Sequence, residues 1–123
     1  MGKRRINPMD GMAAVRAVKA GEAARETHDA TFALAVRFLL EALSDLRPGN
    51  TVEVRVPPLG ATQCIEGPTH RRGTPPNVVE MDAFTWFDLA VGAIDWADAT
   101  ASGRLRASGN RADISDCLPL VAR

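Results

Sequence analysis

A chain of 123 residues, 46% hydrophobic and 24% charged, reads as one domain over 1–123 with a single modest core. Fifteen basic residues balance fifteen acidic ones, which disfavours a compact nucleic-acid binder, whose grip on phosphate needs surplus Lys and Arg. No apolar run approaches the ~20 residues that span a bilayer, and Lys3-Arg4-Arg5 leads into a polar segment rather than a signal-peptide core; a cytoplasmic protein with no integral membrane segment and two reduced thiols is expected.

Asn7-Pro8-Met9-Asp10 predicts a helix start: a capping side chain, a proline at the first helical position and an acid near the positive end of the dipole. Met12, Val15 and Val18 follow at helical spacing, and Gly21 stops the run. A longer helix begins near Asp29, with Phe32, Ala35, Val36, Leu39, Leu43 and Leu46 at steps of three or four. Leu34, Phe38 and Leu40 widen its stripe, so it is expected to pack on two sides. Arg47-Pro48-Gly49-Asn50 ends it.

At Thr51 the period changes to two. Val52, Val54 and Val56 point one way and Thr51, Glu53 and Arg55 the other, which predicts a strand with one wet face. Pro57-Pro58-Leu59-Gly60 turns the chain, and Ala61 to Glu66 returns as a strand. Gly67 to Asn77 is a proline-stiffened loop, and Val78-Val79-Glu80-Met81 resumes strand. Asp82 then caps a helix to Val91 closed by Gly92, and Asp95 caps a second from Trp96 to Ser102. Arg104 to Ser108 alternates as a strand whose Leu105 and Ala107 share the buried face. A weaker helical stretch runs from Asp113 to Leu118, broken by Pro119. The order predicts an α+β fold: a small, largely antiparallel sheet with helices packed on one face.

Little in the sequence points to catalysis. His28, His70, Cys64 and Cys117 stand at no recognised metal-ligand spacing, so no metal site is expected. Cys64 lies in an alternating strand with no cation beside it, which favours a structural thiol over a nucleophile. No GxGxxG and no GxxxxGK[ST] occurs, and no cofactor is expected. In the loop, Arg71 and Arg72 could meet an anionic head group, although a solvated connection is the favoured reading. Phe84, Trp86, Phe87, Leu89, Val91, Ile94 and Trp96 crowd together, a pattern read first as core.

From Pro76 onward the sequence resembles the C-terminal half of the sterol carrier protein fold, over VVEMDAFTWFDLAVGAIDWADATASGRLRASGNRADISDCLPL from Val78 to Leu120. Asp82, Phe87, Gly92, Ala99, Gly103, Leu105 and Gly109 occupy the family's structural positions. With VEVRVPPLGATQCIEGP and RGTPPNVVE, the chain looks most like the small bacterial single-domain relatives. The resemblance covers 51–120, which leaves 1–50 as the N-terminal helices. It implies a helix-covered sheet enclosing an apolar tunnel for fatty-acyl chains or sterols, and it brings no catalytic residue. A related carrier-like domain occurs in mycothiol-dependent maleylpyruvate isomerases, whose metal is held by histidines of a helical bundle; two histidines cannot supply that machinery.

An empty apolar void of ~300 Å³ would cost ~7 kcal/mol at about 24 cal/mol per Å³. That rivals the whole stability of a domain, about 5–15 kcal/mol. A tunnel is therefore expected to be filled, by a ligand or by side chains such as Trp86, Met81 and Phe38. The leading expectation is a non-enzymatic binder of an apolar small molecule or lipid, lined by Phe38, Val79, Met81, Phe87, Val91, Leu105 and Leu118, with Arg71 and Arg72 at the head group. The alternatives are an interaction or homodimerisation module with a closed cavity, and an accessory domain related to the isomerases.

Overall fold

Capping side chains open each α-helix among the described residues. In a computed structural model describing residues 5–67 and 77–121, Asn7 Oδ1 accepts from the amides of Met9 and Asp10, at 2.8 and 3.3 Å, and starts α1 (Pro8–Lys19). Asp29 caps α2 (Ala30–Leu46), Asp82 caps α3 (Ala83–Val91) and Asp95 caps α4 (Trp96–Ala101), each accepting one amide hydrogen bond at 2.8–2.9 Å. Each cap is worth ~1 kcal/mol, and Gly92 closes α3 in the left-handed conformation.

The strands are β1 (Val52–Val56), β2 (Gly60–Cys64), β3 (Asn77–Met81) and β4 (Leu105–Ser108), in the order β2-β1-β3-β4. The α+β reading holds, with a mixed sheet: β1–β2 and β3–β4 are antiparallel, whereas β1–β3 is parallel. The reason is the route of the chain. A tight turn, Leu59 N–H to Val56 C=O at 2.9 Å, sends β2 back along β1 until Cys64 faces Val52. Asn77 also faces Val52, so β3 starts at that same end and must run with β1.

Alternation sorts the sheet into a dry and a wet face. Val52, Val54, Val56, Cys64, Val79 and Met81 are buried, while Glu53, Arg55, Val78 and Glu80 are half-exposed. Three details depart from the sequence reading. Thr51 is buried rather than wet, because it precedes the strand and its carbonyl accepts from the Asn77 side-chain amide at 2.9 Å. Ala107 is exposed although it shares its face with Leu105, because β4 is an edge strand and helical cover ends at Leu105. The Asp113–Leu118 stretch contains only a 3₁₀ turn, Ser115–Cys117.

Two helices make the floor of the core. Phe32, Val36, Leu39 and Leu43 of α2, with Trp86, Phe87 and Leu89 of α3, are buried with the inner face of the sheet in one hydrophobic cluster. Each such side chain contributes ~1.5–3 kcal/mol by leaving water. α1 packs along α2, where Gly11 lies so close to the Phe38 ring that a Cβ there would overlap it. Arg5 pairs with Asp45, and the Ile6 amide donates to Glu41 Oε1 at 3.1 Å, fastening the start of the chain to the end of α2. The α1–α2 connection is fastened by Arg25. Its guanidinium meets Asp88 through two bonds of 3.0 and 3.2 Å and sits 5.6–6.0 Å from the rings of Phe32, Phe84 and Phe87.

Candidate apolar groove

The nine residues expected to line a tunnel are distributed over several places. Val79, Phe87 and Val91 are core residues with at most 5% of their surface exposed. Phe38 is half-buried at the α1–α2 contact. Met81 and Leu105 border an open cleft of about 400 Å³ on the β3–β4 side, in company with Glu80, Asp82, Arg104 and Arg106. Leu118 lines a different cavity. Arg71 and Arg72 lie outside the described residues, as does His70.

The hydrophobic core holds the bulkiest side chains. Trp86 is fully buried there, and its indole N–H donates to the Val36 carbonyl at 3.3 Å. Phe32 stacks on Phe84 at 5.4 Å and tilts against Phe87 at 6.0 Å. Trp86, Phe32 and Phe87 are thus buried in the interior where an empty tunnel would be costly.

A groove of about 470 Å³ with largely apolar walls lies at the C-terminal end of α3. It is lined by Leu89, by Ile94 and Trp96, which follow the Gly92 turn, and by Leu118 and Pro119. The sequence explains this construction. Gly92 ends α3 abruptly, Asp95 starts α4 three residues later, and the short link leaves Ile94 and Trp96 only half-buried. Pro119 prevents the last helical stretch from continuing, and the Leu120 and Val121 amides donate to the Ala90 carbonyl, at 2.8 and 3.2 Å, which ties the C-terminal segment to α3. The crowding of apolar residues after Phe84 was the available signal for this wall; its reading as core applies to Trp86 and Phe87 but not to Ile94 and Trp96.

Polar or charged lining residues are few: Asp95 and Ser115. The Ser115 amide donates to Asp113 Oδ1 at 2.8 Å, and hydrogen bonding from Ser115 holds the Asp113 carboxyl below the usual carboxylate range. No group of three or more His, Cys, Asp and Glu among the described residues could hold a metal ion.

Both cysteines are free thiols. Burial, with a smaller contribution from Cys117, pushes the Cys64 thiol up to about 12, and burial also raises Cys117 against the opposing pull of Arg47. A thiolate is the reactive form, so Cys64 is a poor nucleophile. At pH 8 it is expected to alkylate at least ~100-fold more slowly than the same thiol in urea, measured by mass spectrometry of iodoacetamide-treated protein. Labelling at equal rates would show that the end of β2 opens freely. The same shift makes stability fall as pH rises above 9.0 toward about 12, because the unfolded chain releases this proton first.

The family described as "Bacterial SCP ortholog" matches residues 25–120. This chain belongs to that family, a sterol carrier protein-like one. The family region takes in α2, all four strands, α3, α4 and the 3₁₀ turn, while α1 precedes it. The resemblance read over 51–120 thus extends back through α2. No curated protein matches the chain. Among the described residues, no helix is long and apolar enough to cross a membrane.

Proposed function

We propose that this protein binds an apolar molecule, of fatty-acyl or sterol-like character, in the groove between the end of α3, α4 and the C-terminal segment, without catalysing a reaction on it. One observation carries the proposal: a cavity of about 470 Å³ walled by Leu89, Ile94, Trp96, Leu118 and Pro119. Its volume falls in the range of small-molecule sites, ~300–1,000 Å³. Affinity would come from burial, at about 25 cal/mol per Å² of apolar surface removed from water. Membership of the sterol carrier protein-like family is compatible with this role. The unreactive Cys64 thiol also supports binding over chemistry.

Protein purified without detergent is expected to release a lipid on solvent extraction and to bind dodecan-1-ol saturably. Leu118→Asp places a charge in the wall and is expected to weaken that binding at least ~10-fold, moving the urea midpoint far less because Leu118 is half-buried. No extractable lipid together with no saturable binding overturns the proposal. Binding that Leu118→Asp leaves unchanged removes the groove as its place.

A second reading, an interaction or homodimerisation module, is favoured by the filling of the interior by Trp86, Phe32 and Phe87. Light scattering separates the two: a stable oligomer that binds no dodecan-1-ol supports the module, and a monomer that binds it supports the carrier.

A further inference from the structure

The groove has few polar lining residues. Asp95 is its single charged lining residue among the described residues. Asp95 spends Oδ1 on the Asp98 amide at 2.8 Å, capping α4, and leaves lone pairs of the exposed carboxylate for a guest. Ser115, the other polar lining residue, is engaged with Asp113, an anion bonded to its amide. No Lys or Arg of the described residues lines the cavity; Arg47 bears on Cys117 but is not part of the wall. An incoming carboxylate would approach the negative charge of Asp95 and that of Asp113, which is bonded to the Ser115 amide. The amides at the start of α4, which could otherwise attract an anion, are already served by Asp95.

Resting on the binding role proposed above, we infer that the groove selects amphiphiles whose polar end donates a hydrogen bond, a hydroxyl or an ammonium, and discriminates against a free fatty-acid carboxylate. Asp95 is the residue that sets this preference. A hydroxyl or ammonium donates to its carboxylate while the chain lies against Leu89, Ile94 and Leu118.

The test uses three probes of one chain length, each below its micellar concentration: dodecan-1-ol, dodecylammonium and dodecanoate, titrated at pH 7.5 into the full chain and into Asp95→Asn. Asparagine caps a helix as well as aspartate does, so this variant removes the charge and keeps α4. The wild type is expected to bind the alcohol or the ammonium at least ~10-fold more tightly than dodecanoate, and Asp95→Asn to narrow that ratio to about 3-fold or less. The alcohol and ammonium arms distinguish which donor the groove takes. Dodecanoate binding as tightly as both overturns the inference and leaves the binding role standing, and so does a ratio that Asp95→Asn does not change. Failure of all three probes overturns the binding role, and the inference with it.

Discussion

Trp86→Ala is expected to lower the free energy of unfolding by about 3–5 kcal/mol, read as a fall in the urea midpoint at unchanged slope. The indole is fully buried in the hydrophobic core, with its N–H on the Val36 carbonyl of α2 at 3.3 Å. Truncation removes the transfer energy of a large aromatic, leaves a void that neighbouring chains fill only in part, and deletes a buried hydrogen bond. Against a total of about 5–15 kcal/mol this is a large share. Trp86→Phe keeps most of the volume and is expected to cost markedly less. The void is apolar and enclosed, so the alanine variant should also gain binding of a small hydrocarbon such as benzene that the wild type lacks. A cost below about 1 kcal/mol would mean that the interior closes over the missing ring, and that Trp86 is not what fills it.

The second large effect is expected at the corner between α2 and β1. Gly49 has φ +148, and a Cβ there would overlap the Ile65 carbonyl, a backbone group with no rotamer to yield. That carbonyl already accepts from the Thr51 amide at 3.1 Å, while the Ile65 amide donates to the Arg47 carbonyl at 2.7 Å. These two bonds stitch the corner to the end of β2. Gly49→Ala must therefore both strain its own backbone and displace a hydrogen-bonded partner, for an expected loss of about 2–4 kcal/mol. Gly21→Ala is the control. Gly21 also has positive φ, but nothing approaches its missing Cβ, so its cost is about 1 kcal/mol from backbone strain alone. Equal midpoints for the two variants in urea would show that the Ile65 contact does not constrain the corner.

The legible parts of this fold were those written in local chemistry. Asn7, Asp29, Asp82 and Asp95 each announce a helix and each caps one. The change of period at residue 51 marks β1, and Pro57 to Gly60 marks the turn into β2. What stayed hidden depends on where distant segments go. Alternation in β3 looks the same whether its neighbour runs with it or against it, so the parallel pairing with β1 has no signature in Val78-Val79-Glu80-Met81. Ala107 alternates like a buried residue, and its exposure follows from the edge position of β4. The groove was legible in part. Leu118 was marked as lining, but Ile94, Trp96 and Leu89 merged with the core aromatics beside them in sequence. Composition cannot tell an apolar residue that faces a wall from one that is the wall.

The wet face and free edge of the sheet bear on how copies of the protein behave near one another. β4 is an edge strand of the sheet, and edges are the margins on which strands of separate molecules join. It is only four residues long, and Arg106, 86% exposed in its side chain, stands in its middle. Two molecules meeting margin to margin would press guanidinium toward guanidinium before their ladders could register. Across the wet face, Arg55, Glu80 and Arg106 form a row of alternating sign that holds water more readily than another sheet. At the β4 margin, a short strand and one arginine thereby work against ribbon-like joining of separate molecules.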